Sequence, residues 1–353
     1  MSTQKQSIKG RGAINNLDSR YSDFQREVVD DGWFQQDEQP AFRTEVSIET
    51  PRRIITHNQS PDLPFSQSIN AYRGCEHGCP YCFARPTHAY LGLSPGLDFE
   101  TRLTVKPDAA LLLKKELQAK NYVCSPIALG TNTDPYQPIE RQYQITREIL
   151  EVLEQHQNPC TVVTKSALIE RDIDILSRMA KQQLVHVHLS VTTLDKSLAR
   201  KLEPRASSPQ RRLQAIETLH RAGIPVSVLV APVIPILTDT ELEQIMQACA
   251  DAGAMSAGYI LLRLPLEVSD LFEDWLHAHY PDTAEHVMQR IRDARDGKTN
   301  DPRFGHRLSG HGFYADMIQQ RFHVAIKKLG LNQYREALNC ELFNPHPEQM
   351  SLF

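Results

Sequence analysis

The run Arg73-Gly74-Cys75-Glu76-His77-Gly78-Cys79-Pro80-Tyr81-Cys82-Phe83 places three cysteines within eight residues. Thiolates are soft ligands that each hold one iron of an iron-sulfur cluster, so three can grip three corners of a cube and leave the fourth open for chemistry. Gly74 and Gly78 permit the tight backbone turns that such crowding requires. The same residues also allow a zinc knuckle, with His77 or His88 as fourth ligand. Zinc sites usually pair two cysteine clusters, however, and Cys124, Cys160, Cys249 and Cys340 are scattered singly. A disulfide framework is disfavoured by the odd count of seven cysteines and by a chain too long to need staples.

With 353 residues and 41% hydrophobic content, the chain can bury one principal core with extensions. Its opening, Met1-Ser2-Thr3-Gln4-Lys5-Gln6, has no apolar signal core, and no apolar run approaches the roughly 20 residues that span a bilayer. A cytoplasmic protein without a membrane partner is therefore expected. The net charge of -4 lacks the global basic bias of a protein that binds nucleic acid mainly through phosphates. Residues 283–335 differ: Arg290, Arg292, Arg295, Lys298, Arg303, Arg307, Arg321, Lys327, Lys328 and Arg335 outnumber Glu285, Asp293, Asp296, Asp301 and Asp316. Such a run is either a solvated helix face or a surface that contacts a polynucleotide backbone.

Residues 1–60 lack sustained periodicity and read as an extended wrapping arm. Beyond them, apolar runs at 66–72, 126–130, 160–164, 185–192, 225–231 and 257–262 predict strands. Helical patterns at 109–119, 141–155, 173–181, 209–222 and 239–252 fall between them, with Ala222-Gly223 and Ala252-Gly253 as stop signals. This alternation predicts βα units around a parallel sheet. Periodicity alone allows an open doubly wound sheet or a curved barrel. After residue 265 only helices are signalled, with Leu271, Trp275, Leu276 and His279, then Phe322, Ala325, Ile326 and Leu329, as packing stripes. The chain thus divides into an arm (1–60), a barrel core (61–265), a helical extension (266–340) and a flexible tail (341–353).

Three residues and then two between the cysteines, with an aromatic before the last, resemble the signature of the radical S-adenosylmethionine superfamily. The stretches Asn70-Ala71-Tyr72-Arg73-Gly74, Pro86-Thr87-His88-Ala89-Tyr90-Leu91 and Gly130-Thr131-Asn132-Thr133-Asp134-Pro135-Tyr136-Gln137-Pro138 resemble its spore photoproduct lyase-like, or DNA-repair-photolyase-like, branch. The opening Lys9-Gly10-Arg11-Gly12-Ala13 adds to the likeness, which covers nearly the whole chain; more narrowly, the chain resembles bacterial members without an assigned substrate. The resemblance implies an α/β fold, a partial TIM-type (β/α)6 barrel, with function gathered in loops after the strands. It also implies a [4Fe-4S] cluster on Cys75, Cys79 and Cys82, bound S-adenosylmethionine, an electron donor, and reductive cleavage that gives a 5′-deoxyadenosyl radical.

Tyr81, in these enzymes, would line the adenine, though plain packing under the loop would equally suit it. Polar residues at strand ends are candidates for the rest of the cofactor: Asn132 and Asp134 for the methionine amino group, Ser190, Thr192 and Thr193 for the ribose, and Arg205 for the carboxylate. Asp134 could instead start a turn before Pro135, and Arg205 could pair with an acid such as Glu203. Lys165 and Arg263 end apolar strands and are expected at the barrel mouth, where either could hold a substrate phosphate.

Spore photoproduct lyase carries a hydrogen-donating cysteine after its second strand, whereas Leu129-Gly130-Thr131-Asn132-Thr133-Asp134 has none. That departure leaves the substrate open. It is read as DNA or another nucleic acid; a small molecule, a protein side chain, or a zinc-stabilised DNA-associated module without radical chemistry are the alternatives. Lastly, Gln349-Met350-Ser351-Leu352-Phe353 resembles the pentapeptide with which bacterial repair proteins dock on the sliding clamp.

Overall fold

Valine and isoleucine runs bounded by helix stops build a seven-stranded sheet that curves into an open barrel. The computed structural model describes residues 8–21, 43–333 and 337–347. Ten strands are present among them: β1 (Glu45–Ile48), β2 (Thr56–His57), β3 (Gln67–Ile69), β4 (Tyr72–Arg73), β5 (Arg102–Val105), β6 (Ile127–Leu129), β7 (Cys160–Thr164), β8 (Val185–Ser190), β9 (Val226–Val233) and β10 (Ser256–Leu261). The large sheet runs β10-β9-β8-β7-β6-β3-β2, and a small one runs β1-β5-β4. Within the large sheet every pairing from β10 round to β3 is parallel, with β2 antiparallel at one edge. This is the partial TIM-type (β/α)6 barrel.

Alternation along β7 and β8 buries Cys160, Val162, Thr164, Val185, Val187 and Leu189 beneath the helices. Those helices form where apolar residues recur at helical spacing. Helix Ile145–Gln155 buries Ile145, Ile149, Leu150 and Leu153, and Ile173–Ala180 buries Ile175, Leu176 and Met179. The pattern expected over 141–155 is broken in two at Gln144, whose φ of 54 ends helix Glu140–Tyr143 and starts the next. The strand expected over 66–72 is also divided, because Tyr72 and Arg73 leave the barrel to pair with β5.

The arm contributes β1 to the small sheet, and its earlier residues 8–21 lie against the cysteine loop, with Gly12 at the Gly78 carbonyl. Beyond β10, helices Val268–His279 and Ala284–Asp293 share one core with that loop, in which Tyr81 and Cys79 lie with Phe272, Trp275 and Leu276. Helix Phe313–Leu329 returns to the barrel through Ala315, Ile318, Phe322 and Ala325. The extension is therefore packed on the core at two places. No helix among the described residues is long and apolar enough to cross a membrane.

The basic run resolves mostly into local pairs. Arg292 meets Glu285 at 3.0 Å, Arg307 meets Asp62, Arg321 meets Glu243 at 2.6 Å, and Arg303 bridges Asp296 and Asp301 at 2.6 Å each. Arg295 is wholly buried and donates to the Leu261 and Leu262 carbonyls at 2.8 and 3.1 Å. It closes the end of β10 and cannot belong to a polynucleotide-contacting face. Lys298, Lys327 and Lys328 remain exposed, and Arg335 lies outside the described residues.

Candidate active site

The cysteine loop follows β3 and β4 at the carboxyl end of the barrel. The Cys75 N–H donates to the Phe99 carbonyl at 2.9 Å, and the Cys82 N–H closes a turn on the Cys79 carbonyl at 3.2 Å. Gly74 and Gly78 hold φ of 77 and 72, where side-chain-bearing residues are strained. Space is short as well: a Cβ at 74 would stand 2.6 Å from Leu103, and one at 78 would stand 2.8 Å from Glu100.

A fully buried ion pair, Arg85 with Glu100, fixes the loop from outside. Arg85 also donates to the carbonyls of Cys79 at 2.7 Å, Pro95 at 3.0 Å and Gly96 at 2.8 Å. Glu100 accepts from the backbone N–H groups of Gly12 at 3.1 Å and Ala13 at 2.8 Å. The arm is thereby tied to the loop through one carboxylate. Removing either member would leave a buried charge unpaired, at a cost of about 3–5 kcal/mol.

Cys75 and Cys79 are buried and Cys82 is half-buried. Burial pushes all three thiols up, with the Asp134 charge adding to Cys75 and the Glu203 charge to Cys79. Such thiols give up their protons to a metal rather than to water. One tetrahedral zinc with bonds near 2.3 Å would draw its sulfurs to about 3.8 Å from one another. Among the described residues, the three cysteines do not come together within 4.8 Å, and the set that does is Asp296, Asp301 and His311, where Arg303 already balances the charge. His77 meets Asp134 at 3.3 Å, while Nε2 of His88 lies 2.9 Å from the Arg102 carbonyl. The donor set fits a polynuclear iron-sulfur group with three protein ligands better than a single zinc.

A polar network fills the mouth beside the loop. Glu203 accepts from the Tyr81 hydroxyl and, at 2.7 Å, from Thr192, and pairs with Arg212. Lys165 lies 3.7 Å from Glu203 and donates to Ser190 at 2.7 Å and the Ala231 carbonyl at 3.3 Å. Burial would raise the Glu203 carboxyl, but Arg212, Lys165 and the hydroxyl donors outweigh it and hold it at about 2. Asp134 is likewise held low against its burial, chiefly by His77.

Most side chains expected on the cofactor are thus committed to one another. Asp134 accepts from Thr164 at 2.7 Å, the Lys165 N–H at 2.8 Å and the Tyr136 N–H at 2.9 Å, which is the turn-forming use before Pro135. Ser190 donates to the Ala231 carbonyl at 2.9 Å. Arg205 pairs at 2.9 Å with Glu76, not Glu203, and stays one-third exposed. Asn132 is exposed, with its backbone N–H on Asn70 at 2.9 Å. Sequence reasoning missed Arg85, Glu100 and Arg212, which nothing local marks out: Glu100 stands among Asp98, Thr101 and Arg102, and Arg212 directly follows Arg211.

The barrel and its cysteine loop have the arrangement that the resemblance to radical S-adenosylmethionine enzymes implies. The sequence model described as "Radical SAM superfamily" matches residues 69–249, half of the chain, so the chain belongs to that superfamily. It is 38% identical over 232 residues to an uncharacterized protein of Mycobacterium tuberculosis, covering 65% of this chain and 68% of that one. It is 27% identical over 197 residues to the radical SAM Nalpha-GlyT isomerase of Pseudomonas phage M6, covering 54% and 38%. A solved spore photoproduct lyase variant with bound AdoMet and dinucleoside spore photoproduct shares the fold at a TM-score of 0.59 and 16% identity, over 80% of this chain and 78% of that one. Membership of the superfamily implies S-adenosylmethionine and an iron-sulfur cluster.

Proposed function

We propose that Cys75, Cys79 and Cys82 hold a [4Fe-4S] cluster at which this enzyme cleaves S-adenosylmethionine, and that its substrate is a nucleic acid. The cluster and its cofactor supply the one-electron cleavage and the 5′-deoxyadenosyl radical, with the electron coming from a separate donor protein. The chain's own residues shape the site. Arg85 and Glu100 keep the loop rigid, the Glu203 network keeps the mouth charge-balanced beside Cys79, and Tyr81 closes the base of the site against Trp275. Asn132 and Arg205 have donors that remain accessible for the methionine end.

The observation that carries the nucleic-acid reading is Arg263. Its guanidinium lies 4.9 Å above the ring of Phe83, directly after Cys82, and it has no hydrogen-bond or ion-pair partner among the described residues. Burial, then Arg307, pull its pKa down, so an anion beside it would be favoured. Phe83 is 45% exposed, and Phe304 is 55% exposed beneath Arg307 at 5.0 Å, where Arg307 itself is paired with Asp62. Arginines interleaved with open aromatic faces suit stacked bases and their phosphates. The dinucleoside held by a fold neighbour is a ligand of this class. Recruitment through Gln349, Met350, Ser351, Leu352 and Phe353 to a bacterial sliding clamp would be consistent with it; those residues lie outside the described ones.

Anaerobic reconstitution with iron and sulfide, followed by S-adenosylmethionine, a reductant and a panel of lesion-bearing oligonucleotides, tests both parts. Four irons and sulfides per chain and oligonucleotide-dependent 5′-deoxyadenosine are expected. Zinc without sulfide would overturn the cluster. Cofactor cleavage indifferent to every nucleic acid would overturn the substrate and favour a small molecule or protein side chain.

A further inference from the structure

The four cysteines outside the loop look unrelated in sequence, yet the fold joins two of them. Cys124 lies three residues before the start of β6, at the amino end of the barrel and opposite the cysteine loop. Cys340 lies in the segment 337–347, which is docked on the same rim. There the Asn339 N–H donates to the Gln183 carbonyl at 2.9 Å, and the Asn344 N–H donates to the His156 carbonyl at 2.9 Å. Phe343 packs on Tyr122 with ring centroids 5.3 Å apart. These contacts bring Cys340 to the rim beside Cys124, whose thiol is pushed up by burial and then by that of Cys340. Cys124 also approaches Asn158 Oδ1 at 3.5 Å, and the Tyr122 hydroxyl shares that oxygen at 2.8 Å. Both thiols are partly accessible, whereas Cys160 and Cys249 are sealed in the core.

We propose that Cys124 and Cys340 form a redox-responsive dithiol that closes to a disulfide under peroxide and fastens residues 337–347 to the amino-terminal rim of the barrel. Of the two, Cys124 is assigned as the resolving thiol and the first attack is assigned to Cys340. Its thiolate takes one oxygen of hydrogen peroxide, the O–O bond breaks, and the other oxygen leaves as hydroxide and becomes water. The Cys124 sulfur then attacks the Cys340 sulfenic sulfur, loses its proton and displaces the second water. Two thiols give up two electrons and two protons, and one peroxide becomes two waters. A thioredoxin-class dithiol reverses the bond, as a reducing cytosol requires. The bond would link positions far apart in the chain, so its closure should raise thermal stability by restricting the unfolded state.

The test is a peptide map of the full-length enzyme after graded hydrogen peroxide, quenching with N-ethylmaleimide and trypsin. Cleavage after Lys120, Arg141 and Arg335 releases peptides 121–141 and 336–353, each holding one of the two cysteines. The expected result is one species joining these peptides, lost on treatment with dithiothreitol. A thermal midpoint a few degrees higher should accompany it, and Cys124→Ser and Cys340→Ser should each abolish both signals. Sulfinic acid on either cysteine without the linked species, or a linkage found only between separate chains on a non-reducing gel, would overturn the proposal. The wild-type map decides the matter even if a serine variant folds poorly, and it is read independently of damage to the cysteine loop.

Discussion

Gly12 of the arm lies against the carbonyl of Gly78 in the cysteine loop, so closely that a Cβ at residue 12 would stand 1.6 Å from that oxygen. The contact is backbone on backbone, and no rotamer change can relieve it. Gly12→Ala must therefore shift the arm or the loop, and the Glu100 bonds to Gly12 and Ala13 shift with it. The expected outcome is at least a several-fold loss of bound iron after reconstitution, with the barrel's circular dichroism retained. Gly10→Ala is the control, since position 10 faces open space and carries only the strain of its positive φ, about 1 kcal/mol.

Glu203 makes stability depend on pH in a defined direction. Its folded pKa of about 2 lies below the ordinary glutamate value near 4.3, so the carboxylate contributes stability that is full above that value. That contribution is lost as pH falls through 4 towards 2. Glu203→Gln leaves Arg212 buried without its counter-charge and should destabilise the fold by about 3–5 kcal/mol at neutral pH. Urea midpoints measured from pH 7 to pH 2.5 should show the gap between wild type and variant shrinking with acid. A gap that stays constant would mean that Glu203 acts through shape alone.

Trp275 links the helical extension to the cysteine loop. It is fully buried, stacks on Phe272 at 5.5 Å and donates its indole N–H to the Lys201 carbonyl at 3.1 Å. Trp275→Ala should cost about 3–5 kcal/mol. Because Tyr81 and Cys79 share that core, iron binding should weaken in the same variant, read as faster loss of iron to a chelator. Unchanged iron retention would separate the extension from the loop.

Much of this was legible in the sequence because it was local. The strand 160–164 emerges with the expected bounds, since Val162 and Val163 sit between a helix end and a polar Lys165-Ser166. The cysteine loop was legible for the same reason. Polar residues at strand ends stand out in the sequence, but it could not say whether they face a ligand or one another. Thr192 meets Glu203, and Tyr81 reaches the same carboxylate across 122 positions of sequence. Such pairings depend on how loops cross, which periodicity does not encode. Gln144 shows the limit at short range, because a glutamine at φ 54 carries no compositional sign of the break it makes.

Arg263 and Lys327 separate two sources of binding to a polynucleotide. The lysine is exposed on the last long helix, whereas Arg263 lies on Phe83 beside the cysteine loop. Single-stranded DNA held at the mouth would release about one counterion at Arg263 and stack a base on Phe83, worth about 1–3 kcal/mol. Arg263→Gln should then weaken binding and reduce the salt slope by about 1, while Phe83→Ala should weaken binding with the slope unchanged. Lys327→Glu with Lys328→Glu should leave both nearly as they were, because the helix face they occupy is solvated. Fluorescence anisotropy with a short labelled oligonucleotide over a salt series reads all three variants. A large loss in the lysine pair with none at Arg263 would move the binding surface from the mouth to the helical extension.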